Sequence, residues 1–549
     1  MFLYQNTTKF CKQSKMSGYF NLHNLVLLWI VLILVGLPLS PFLMSVGTIG
    51  ILLQWIYQSA TSQIKPWVFL TYPGARILPI LFLISCLGMI WTSDFTFGFQ
   101  DLRIKLPLLI LPLTLSSYLV QINKKTRLKI ENIFIASVFS STLITIILFH
   151  QLSPILDHLF SSKIKTHDVR EYCVFTSHIR MGLFVALSIC MLWARNMKNW
   201  KEKIFALITT CFFLYFLAII ESFTGIIAVS IGAIFFLFRY SKIKLNNKQR
   251  WILWPSFSAI LIFIFGYIFL QYRSYQEIKE NVNQPLPRYT INGHPYDHSP
   301  ENRQIENGYY VFRNICWQEL QREWNKKSGI EFNSNDQSGA EISQTLIRYL
   351  TSKGLTKDSV GVVQLSPMDL KNIESGIPNF TYPDLNGITR RLNRFFFEFQ
   401  MMKLGYPPNG HSLFQRFIYW KNALKIIQQH WIIGVGTGDV EQAIQEQYQL
   451  DSNGLNNHYQ LRTHNQYLTL ILTFGIFAWI FIPYLFYSLI KTSKRFSLIA
   501  LIFTILLLLS FLSEDTLETQ AGVTFAAFFS AWWLGAPLWT SEKWRPLSD

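Results

Sequence analysis

An apolar stretch at residues 204–238, IFALITTCFFLYFLAIIESFTGIIAVSIGAIFFLF, contains no lysine or arginine and a single acidic residue. A helix needs about 17–25 residues to cross a lipid bilayer, so this stretch is too long for one crossing and suits two. Glu221 and Gly225 provide the polar and flexible positions of a tight connection near its middle. The stretch therefore predicts two antiparallel membrane helices, at 204–219 and 220–238.

Similar apolar runs recur along the chain. Half of the 549 residues are hydrophobic and 15% are charged, well below the roughly 25% of soluble domains. With the pair above, the predicted spans are 23–40, 42–58, 76–92, 103–120, 131–150, 176–194, 204–219, 220–238, 251–270, 463–490, 496–512 and 520–538. We expect an all-α polytopic membrane protein with about twelve transmembrane helices. Its predicted parts are a membrane bundle at 1–270, an extracytoplasmic domain at 271–462 and a second bundle at 463–549.

The distribution of basic residues predicts the orientation of these spans. The formal net charge is +17, and lysines and arginines cluster in every second loop between the apolar runs. Loops 93–102 and 513–519 contain neither residue type. Because cytoplasmic loops are enriched in lysine and arginine, we expect both termini in the cytoplasm and 271–462 outside it. This distribution argues against a nucleic-acid partner, and the first run lacks the cleavage site of a signal peptide.

The segment 271–462 is polar, rich in Asn, Gln, Tyr and Pro, and has no spanning run. Helical periodicity is visible around 310–325 and 342–354, and further helices are predicted at 387–404 and 412–429. These features predict a mainly helical domain, between spans nine and ten, that caps the membrane bundle. Cys173 and Cys316 are the two cysteines predicted on that side of the membrane, so a disulfide between them stays open.

The most informative residues lie between 411 and 475. This stretch contains QRFIYWKNAL at 415–424, IIGVGTGDV at 432–440 and RTHNQYLTLILTFG at 462–475. Arg416 and Arg462 carry guanidinium groups, which bind phosphate oxygens bidentately and do not deprotonate. His464 stands at the mouth of a predicted span, and histidine suits proton transfer near neutral pH.

A second candidate group is SHIRMGL at 177–183. It places Arg180 at the extracytoplasmic end of the sixth span. An arginine at that depth is costly unless it meets a phosphate or a polar cavity. Arg180 is therefore a candidate phosphate ligand on the same side as His464.

The pattern at 415–475 resembles the signature region of the O-antigen ligase family and of its relatives, the O-antigen polymerases. That family has an arginine at the start of a helix in a large periplasmic loop and a glycine-rich turn after it. A His-Asn-x-x-Leu pattern and a glycine then follow where the next membrane helix begins. Arg416, the glycines of 434–438, and the run from His464 to Gly475 match these features in order.

The resemblance implies an activity and a set of residues. Family members move a glycan from undecaprenyl pyrophosphate to an acceptor hydroxyl, on lipid A–core for a ligase or on the growing glycan for a polymerase. A protein acceptor also fits. The expected protein is a metal-independent, inverting glycosyltransferase of lipopolysaccharide biosynthesis in a bacterial inner membrane, with no cofactor. The implied catalytic residues are His464 and Arg416. The candidate ligands of pyrophosphate or glycan are Arg180, Arg462, Asn465, Gly436 and Gly438.

One position departs from the family pattern. A Ser-Arg-x-Gly type motif is common in the family at the start of the eighth span, but this chain has ESFTG at 221–225. Phe223 stands where that arginine would be, and Arg180 is the hypothesised replacement. The insert at 271–410 is longer than the resemblance predicts and has no assigned role.

Simpler interpretations stand beside these hypotheses. A histidine at a helix end is usually an interfacial polar residue, Arg416 fits the surface of an amphipathic helix, and the glycines fit a turn with positive φ. The acidic residues Glu514, Asp515 and Glu518 could position sugar hydroxyls, but the charge rule, which places lysine and arginine in the cytoplasmic loops, is a sufficient explanation for them. Rival functions are a secondary transporter or flippase for an anionic solute, and a non-catalytic envelope scaffold. The candidate residues cluster at the outer surface rather than at the midplane, which argues against a transporter.

Overall fold

The computed structural model describes residues 22–159, 173–195, 197–280, 285–385, 387–496 and 498–535, and it is mostly helical. Cys11 and the basic N-terminal tail lie outside the described residues, as do both termini. The helices before the polar segment are α1 (Leu22–Leu39), α2 (Pro41–Ala60), α3 (Pro73–Leu87), α4 (Phe95–Lys105), α5 (Pro107–Leu119), α6 (Lys124–Leu159), α7 (His178–Trp193), α8 (Trp200–Ile219), α9 (Phe223–Lys244) and α10 (Asn247–Gln276).

Several of these helices are apolar enough to span a membrane. By length and composition, the described residues contain five such stretches: Phe95–Leu119, Lys124–His150, Trp200–Ile219, Phe223–Lys242 and Asn247–Gln276. Shorter apolar helices occur at Asn24–Leu39, Gly74–Leu87, His178–Trp193, Ile476–Thr492 and Leu498–Ser513. None of the residues of α10 is buried by the rest of the protein, which suits a helix surrounded by lipid. These features support a multi-pass membrane protein, and the number of spans stays a prediction.

The predicted break in the longest apolar run is present. α8 ends at Ile219 and α9 begins at Phe223, and Glu221 between them has φ +48°. The side chain of Ser222 caps α9 by accepting a hydrogen bond from the amide of Gly225 at 3.2 Å. A Cβ atom on Gly225 would lie 2.6 Å from Leu217, so glycine allows the two helices to meet closely here.

The polar segment forms a short antiparallel hairpin and seven helices among its described residues. The strands β1 (Ile305–Glu306) and β2 (Tyr309–Tyr310) pair Ile305 with Tyr310. The helices are α11 (Trp317–Lys327), α12 (Ile342–Ser352), α13 (Ser359–Val363), α14 (Pro367–Glu374), α15 (Gly387–Lys403), α16 (Ser412–Gln429) and α17 (Val440–Leu450). α15 and α16 agree closely with the predicted helices at 387–404 and 412–429. The predicted helix at 310–325 is shorter, because residues before Trp317 belong to the hairpin and its extended continuation.

The buried side chains of the polar segment belong to two different hydrophobic cores. One core lies within residues 311–373, hereafter the insert domain, and is centred on side chains such as Trp324, Leu346 and Leu350. α16 and α17 do not belong to it, because Tyr419 and Ile444 are buried in the core of the membrane bundle. The predicted single unit at 271–462 therefore contains a separate insert domain and helices that pack directly on the bundle. The end of the bundle that carries α15–α17 is called the cap end below.

The last part of the chain corrects one prediction. Its helices are α18 (Gln466–Phe474), α19 (Ile476–Phe496), α20 (Leu498–Ser513) and α21 (Gln520–Leu534). The single span predicted at 463–490 is wrong, because it consists of α18 and α19. Tyr467 stacks on Phe486 with 5.5 Å between ring centroids, whereas one continuous helix would separate them by about 28 Å. The chain therefore reverses between the two helices.

The reversal occurs at Gly475, which has φ +54° and ends α18. A Cβ atom there would lie 2.5 Å from the carbonyl oxygen of Ile432 and 2.6 Å from the amide nitrogen of Gly434. Gly475 therefore packs against the glycine-rich loop at 434–438 and the residues just before it, and only glycine suits this backbone conformation without strain.

The open question of a disulfide is also settled for the described cysteines. The structure forms no disulfide between Cys173 and Cys316. Cys316 is buried, and Cys173 packs against the core of the membrane bundle. The two residues therefore belong to different parts of the fold, and the disulfide between them is absent.

Candidate active site

Several helix ends meet at the cap end of the bundle. A small cavity there is lined by Arg180 of α7, Thr224 of α9, Ser513 and Glu514 at the end of α20, and Gly522 of α21. The N-terminal ends of α7, α9 and α21 all reach this cavity. Helix N-termini carry partial positive charge and unpaired amide groups, so this arrangement favours an anion.

Glu514 is the residue that joins the predicted catalytic residues. Its Oε1 atom accepts a hydrogen bond from Nη2 of Arg416 at 2.9 Å, and its Oε2 atom lies 3.5 Å from Nδ1 of His464. Arg180 is close enough to interact with it electrostatically. Arg416, His464 and Arg180 are far apart in sequence, and the structure brings all three to one carboxylate.

The charge state of Glu514 follows from these contacts. Burial would raise the pKa of this carboxyl group, but the hydrogen bond with His464 and the charges of Arg416 and Arg180 hold it below its ordinary value. Glu514 is therefore an anion at neutral pH. The charge rule had explained this residue as one of a set of outer acidic residues, and the sequence offered no sign that it would face two arginines and a histidine.

His464 is held in an unusual backbone conformation. Its φ is +48°, a region that costs an L-residue roughly 1–2 kcal/mol. Its amide donates a hydrogen bond to Oδ2 of Asp515 at 2.9 Å, while Oδ1 of Asp515 accepts from Thr463 at 3.1 Å and Thr469 at 2.7 Å. Asp515 thereby fixes the backbone that carries the imidazole. The side chain of His464 is 31% exposed, and its ring centroid lies 5.7 Å from that of Tyr419.

Asn465 fixes the next turn of the chain. Its side-chain oxygen accepts hydrogen bonds from the amides of Tyr467 at 3.1 Å and Leu468 at 3.2 Å, and so caps α18. Leu468 packs against the core of the bundle, as its position one turn on predicts. This capping bond accounts for the asparagine beside His464, and a direct contact of Asn465 with substrate stays a prediction.

Arg462 lies in a different group of charges, the α4 ion cluster, formed by Asp101, Lys105, Arg462 and Glu518. Nζ of Lys105 contacts Asp101 at 2.7 Å and Glu518 at 3.0 Å, and Nη1 of Arg462 lies 3.5 Å from Glu518. Burial would raise the pKa of Glu518, but Lys105 and Arg462 lower it. The cluster joins α4, the loop at 513–519 (the acidic loop) and the residues just before α18. Its clearest role is to hold those elements together.

Arg462 makes further contacts that bear on its predicted role as a phosphate ligand. Its guanidinium group also contacts Glu441 at 3.8 Å and lies 5.8 Å from the ring of Phe97. These contacts direct it to Glu518 and Glu441 rather than to Glu514. The structure therefore does not bring Arg462 to Arg416 and His464, and its role as a phosphate ligand stays a prediction.

The glycine-rich loop at 434–438 has the turn geometry expected of it, since Gly434 and Gly436 have φ of +70° and +98°. The amide of Gly436 donates to the carbonyl of Thr473 at 3.0 Å, and the amide of Gly438 donates to Thr92 at 2.7 Å. Both amides are thus engaged within the chain. This favours the turn interpretation, and binding of pyrophosphate by Gly436 and Gly438 stays a prediction.

The same loop anchors the cap to the bundle. A Cβ atom on Gly438 would lie 2.0 Å from the carbonyl oxygen of Asp94, so a larger residue would displace the backbone. Asp439 accepts hydrogen bonds from the amides of Ser93 and Asp94, each at 2.8 Å. The loop therefore connects α17 to the segment between α3 and α4.

Arg391 lies beside Phe223, the position at which the family pattern has an arginine. The guanidinium carbon of Arg391, on α15, lies 5.7 Å from the centroid of the Phe223 ring. Phe223 begins α9, next to Thr224 in the cavity wall. A guanidinium group thus stands beside this position although the local sequence lacks one. Arg391 and Phe223 are so distant in sequence that no local motif could have revealed the pair.

The site therefore gathers guanidinium and imidazole groups around the carboxylate of Glu514, which lines a small cavity. These groups can bind an anion, transfer a proton and orient the group that does so. Across the described parts of the chain, no three His, Cys, Asp or Glu side chains are grouped so that they could hold a metal ion.

A comparison with known families matches the region that contains Arg416 and His464. Residues 376–483 match a family model described as O-antigen ligase. No curated protein was found to match the chain. The matched region includes the glycine-rich loop and the reversal at Gly475, whereas Arg180 and Glu514 lie outside it. The match supports the assignment that the sequence motifs predicted, and this chain carries a domain of the O-antigen ligase family.

Proposed function

We propose that this protein transfers a glycan from undecaprenyl pyrophosphate to a hydroxyl group of lipid A–core at the outer face of a bacterial inner membrane. The observation that carries the proposal is the convergence of Arg416, His464 and Arg180 on Glu514. The domain match at 376–483 supports the reaction class. The donor, the acceptor and the side of the membrane are parts of the proposal.

Arg416 and Arg180 bind the pyrophosphate of the donor. Arg416 donates Nη2 to Glu514 and its side chain is still 27% exposed, so part of the guanidinium group can meet a phosphate oxygen. Arg180 lines the cavity beside Glu514, together with the N-terminal ends of α7 and α9. Arg391 is a third candidate ligand, because it stands beside Phe223.

His464 takes the proton of the acceptor hydroxyl. Its Nδ1 atom faces Glu514 at 3.5 Å, a distance that can shorten when substrate binds. A carboxylate at Nδ1 favours the tautomer with a proton there, which leaves Nε2 free to accept one. The partly exposed ring and the fixed backbone of His464 suit this task.

The reaction needs no separate energy source, because the pyrophosphate leaving group already activates the glycan. The acceptor oxygen forms a bond to the anomeric carbon, and the bond from that carbon to the pyrophosphate oxygen breaks. The electron pair leaves with undecaprenyl pyrophosphate, where the arginines stabilise its charge, and the hydroxyl proton passes to His464. Attack opposite the leaving group inverts the anomeric configuration.

Glycan profiling of a deletion strain tests the proposal. Lipid A–core without long glycan, with polymer accumulating on the lipid carrier, is the expected result. Core carrying a single repeat unit would indicate a polymerase of the same family. Surface glycan that is unchanged after deletion, and that stays at the same level when the wild-type gene is returned, would contradict the proposal.

A further inference from the structure

A second cavity lies between α10, the β1–β2 hairpin and α15, and its volume is about 290 Å³. This is near the lower end of the roughly 300–1,000 Å³ typical of small-molecule sites. It shares no lining residue with the Glu514 cavity. The predicted catalytic residues do not line it, and only its α15 wall lies within the residues that match the family model.

Aromatic rings form one wall of this cavity. Phe396 of α15 packs against Tyr272 and Tyr275 of α10, with ring centroids 5.3 and 5.7 Å apart. Phe399, one turn from Phe396, and Tyr310 of β2 also line the cavity. Flat aromatic faces are the surfaces on which the C–H faces of sugar rings stack.

Amide and hydroxyl groups lie between these rings. The hydroxyl of Tyr272 accepts a hydrogen bond from Gln276 at 2.6 Å, and the hydroxyl of Tyr275 donates to Gln400 at 3.1 Å. Each pair retains further donor and acceptor capacity. Such groups recognise several hydroxyls at once, which is what a sugar presents.

The charges of the lining are of one sign. Arg303 and Lys403 both line the cavity, and its described lining contains no Asp or Glu. The ammonium group of Lys403 lies 4.5 Å from the ring centroid of Phe399, which places a cation at the edge of the aromatic wall. A cationic, aromatic lining favours a ligand that is both ring-shaped and negatively charged.

The walls are fixed by contacts outside the cavity. Arg348 of α12 donates to Glu306 of β1 at 2.7 Å and lies 3.9 Å from the ring of Phe397 on α15. The side chain of Glu398 accepts the amide of Leu413 at 2.7 Å, which ties α15 to the start of α16 and thus to Arg416. The α15 wall of the cavity is therefore joined to the helix that carries Arg416.

We propose that this cavity binds an acidic sugar residue of the glycan, remote from the bond that reacts. This rests on the proposed function, because the glycan is then the natural ligand on this face. It assigns residues 303–310, which lead into the insert domain, the role of forming a glycan subsite together with α10 and α15. A subsite of this kind contributes binding energy far from the reacting atoms, so it changes the apparent affinity for charged glycans more than the chemical step.

The test is a binding measurement on the full-length protein in nanodiscs of uncharged lipid. The probe is tetragalacturonate, a uronic acid oligomer, with maltotetraose as its neutral counterpart. We expect Arg303→Ala/Lys403→Ala to weaken tetragalacturonate binding by about tenfold or more, since each lost charge-assisted hydrogen bond accounts for about that factor. Phe399→Leu should weaken binding of both oligosaccharides, because it keeps the apolar volume and removes the aromatic face.

The matched control is Arg273→Ala. Arg273 is an exposed cation on the same end of α10 and does not line the cavity, so this variant should bind like the wild type. Equal affinity of the double variant and the wild type for tetragalacturonate would overturn the proposal. Inorganic pyrophosphate or phosphatidylglycerol that displaces the uronate, and whose binding is lost in Arg303→Ala/Lys403→Ala, would also overturn it and would identify a phosphate or lipid site.

The result is separable from the proposed transfer reaction. His464→Ala should bind tetragalacturonate like the wild type, because His464 is not part of this cavity. If transfer proves unaffected by His464→Ala, the catalytic proposal fails while the binding result stands. If transfer depends on His464 but the cavity variants bind normally, the subsite fails alone.

Discussion

Asp515→Ala tests how the chain positions its candidate base. Oδ2 of Asp515 accepts the amide of His464 at 2.9 Å, and Oδ1 accepts from Thr463 and Thr469. Alanine removes every one of these acceptors. The conservative variant Asp515→Asn keeps the shape and can still accept the His464 amide through its remaining oxygen.

The expected size of the effect follows from two opposing contributions. A hydrogen bond to a charged group contributes about 1.5–3 kcal/mol, and the backbone conformation at φ +48° costs His464 about 1–2 kcal/mol. Without the hydrogen bond to Asp515, nothing offsets the cost of this backbone conformation, so His464 relaxes out of position. With the hydrogen bond most molecules are in the competent conformation, and without it the cost of about 1–2 kcal/mol leaves roughly 3–15% of them there, so kcat should fall by about 5- to 25-fold.

The assay is the rate of glycan transfer by purified protein, and Thr469→Val is the matched control. This variant removes the 2.7 Å hydrogen bond to Asp515 and leaves the contact with the His464 amide in place. It should lower the Tm but keep kcat within about threefold of the wild type. Asp515→Asn should lie between Asp515→Ala and the wild type. A kcat near the wild-type value for folded Asp515→Ala would refute the positioning role of Asp515.

Three further predictions follow from the contacts described above. Arg416→Lys, Arg180→Lys and Arg391→Lys should each weaken donor use nearly as much as the alanine variants, because a point charge does not replace a guanidinium fork; rescue by lysine, measured as donor KM, would argue against bidentate phosphate contacts. Gly475→Ala should lower the Tm, because its φ is +54° and a Cβ atom would lie 2.5 Å from Ile432, whereas Gly266→Ala, with nothing within 4 Å, should leave the Tm equal or higher. The pKa of Glu514 is lowered in the folded state, so its stabilising contribution is present above the ordinary value of 4.5 and is lost as the pH falls through the folded-state pKa. The Tm difference between the wild type and Glu514→Gln should therefore stay constant from about pH 6 to 8 and shrink below about pH 4.5; a difference that grows on acidification would show the opposite sign of shift.

The membrane helices were predictable because lipid imposes a strong compositional signal. A span must be long, apolar and nearly free of charge, so the run at 204–238 and its division near Glu221 could be derived from the sequence. The helices at 387–403 and 412–429 also follow from local periodicity. These are features in which neighbouring residues decide the outcome.

The reversal at Gly475 was not predictable from the same signal. The residues on both sides are apolar, so α18 and α19 appear in the sequence as one continuous run. What breaks the run is a positive φ at Gly475 and its contact with the carbonyl of Ile432. That contact depends on the glycine-rich loop, which lies elsewhere in the sequence. A glycine within an apolar run was the only local sign.

The candidate site shows the same limit. Motif spacing singled out Arg416 and His464 as candidates, and both lie in the region that the family model matches. Glu514, Asp515 and Arg391 were missed, because each acts through a partner brought near it by folding. The acidic loop had a sufficient explanation in the charge rule, and nothing in its sequence distinguished Glu514 from Glu518. The first faces the predicted catalytic residues and the second lies in the α4 ion cluster.

The most direct test of the catalytic proposal is the transfer rate of His464→Ala. Purified variant in nanodiscs is given an undecaprenyl-pyrophosphate-linked glycan and lipid A–core, with His430→Ala, an exposed histidine of the cap, as the control. A positioned base contributes about 10²–10⁴-fold in rate, so His464→Ala and His464→Gln should each lose at least about 100-fold in kcat while donor binding and the rate of His430→Ala stay unchanged. A kcat for His464→Ala within about threefold of the wild type, at equal folded protein, would contradict the assignment of His464 as the base.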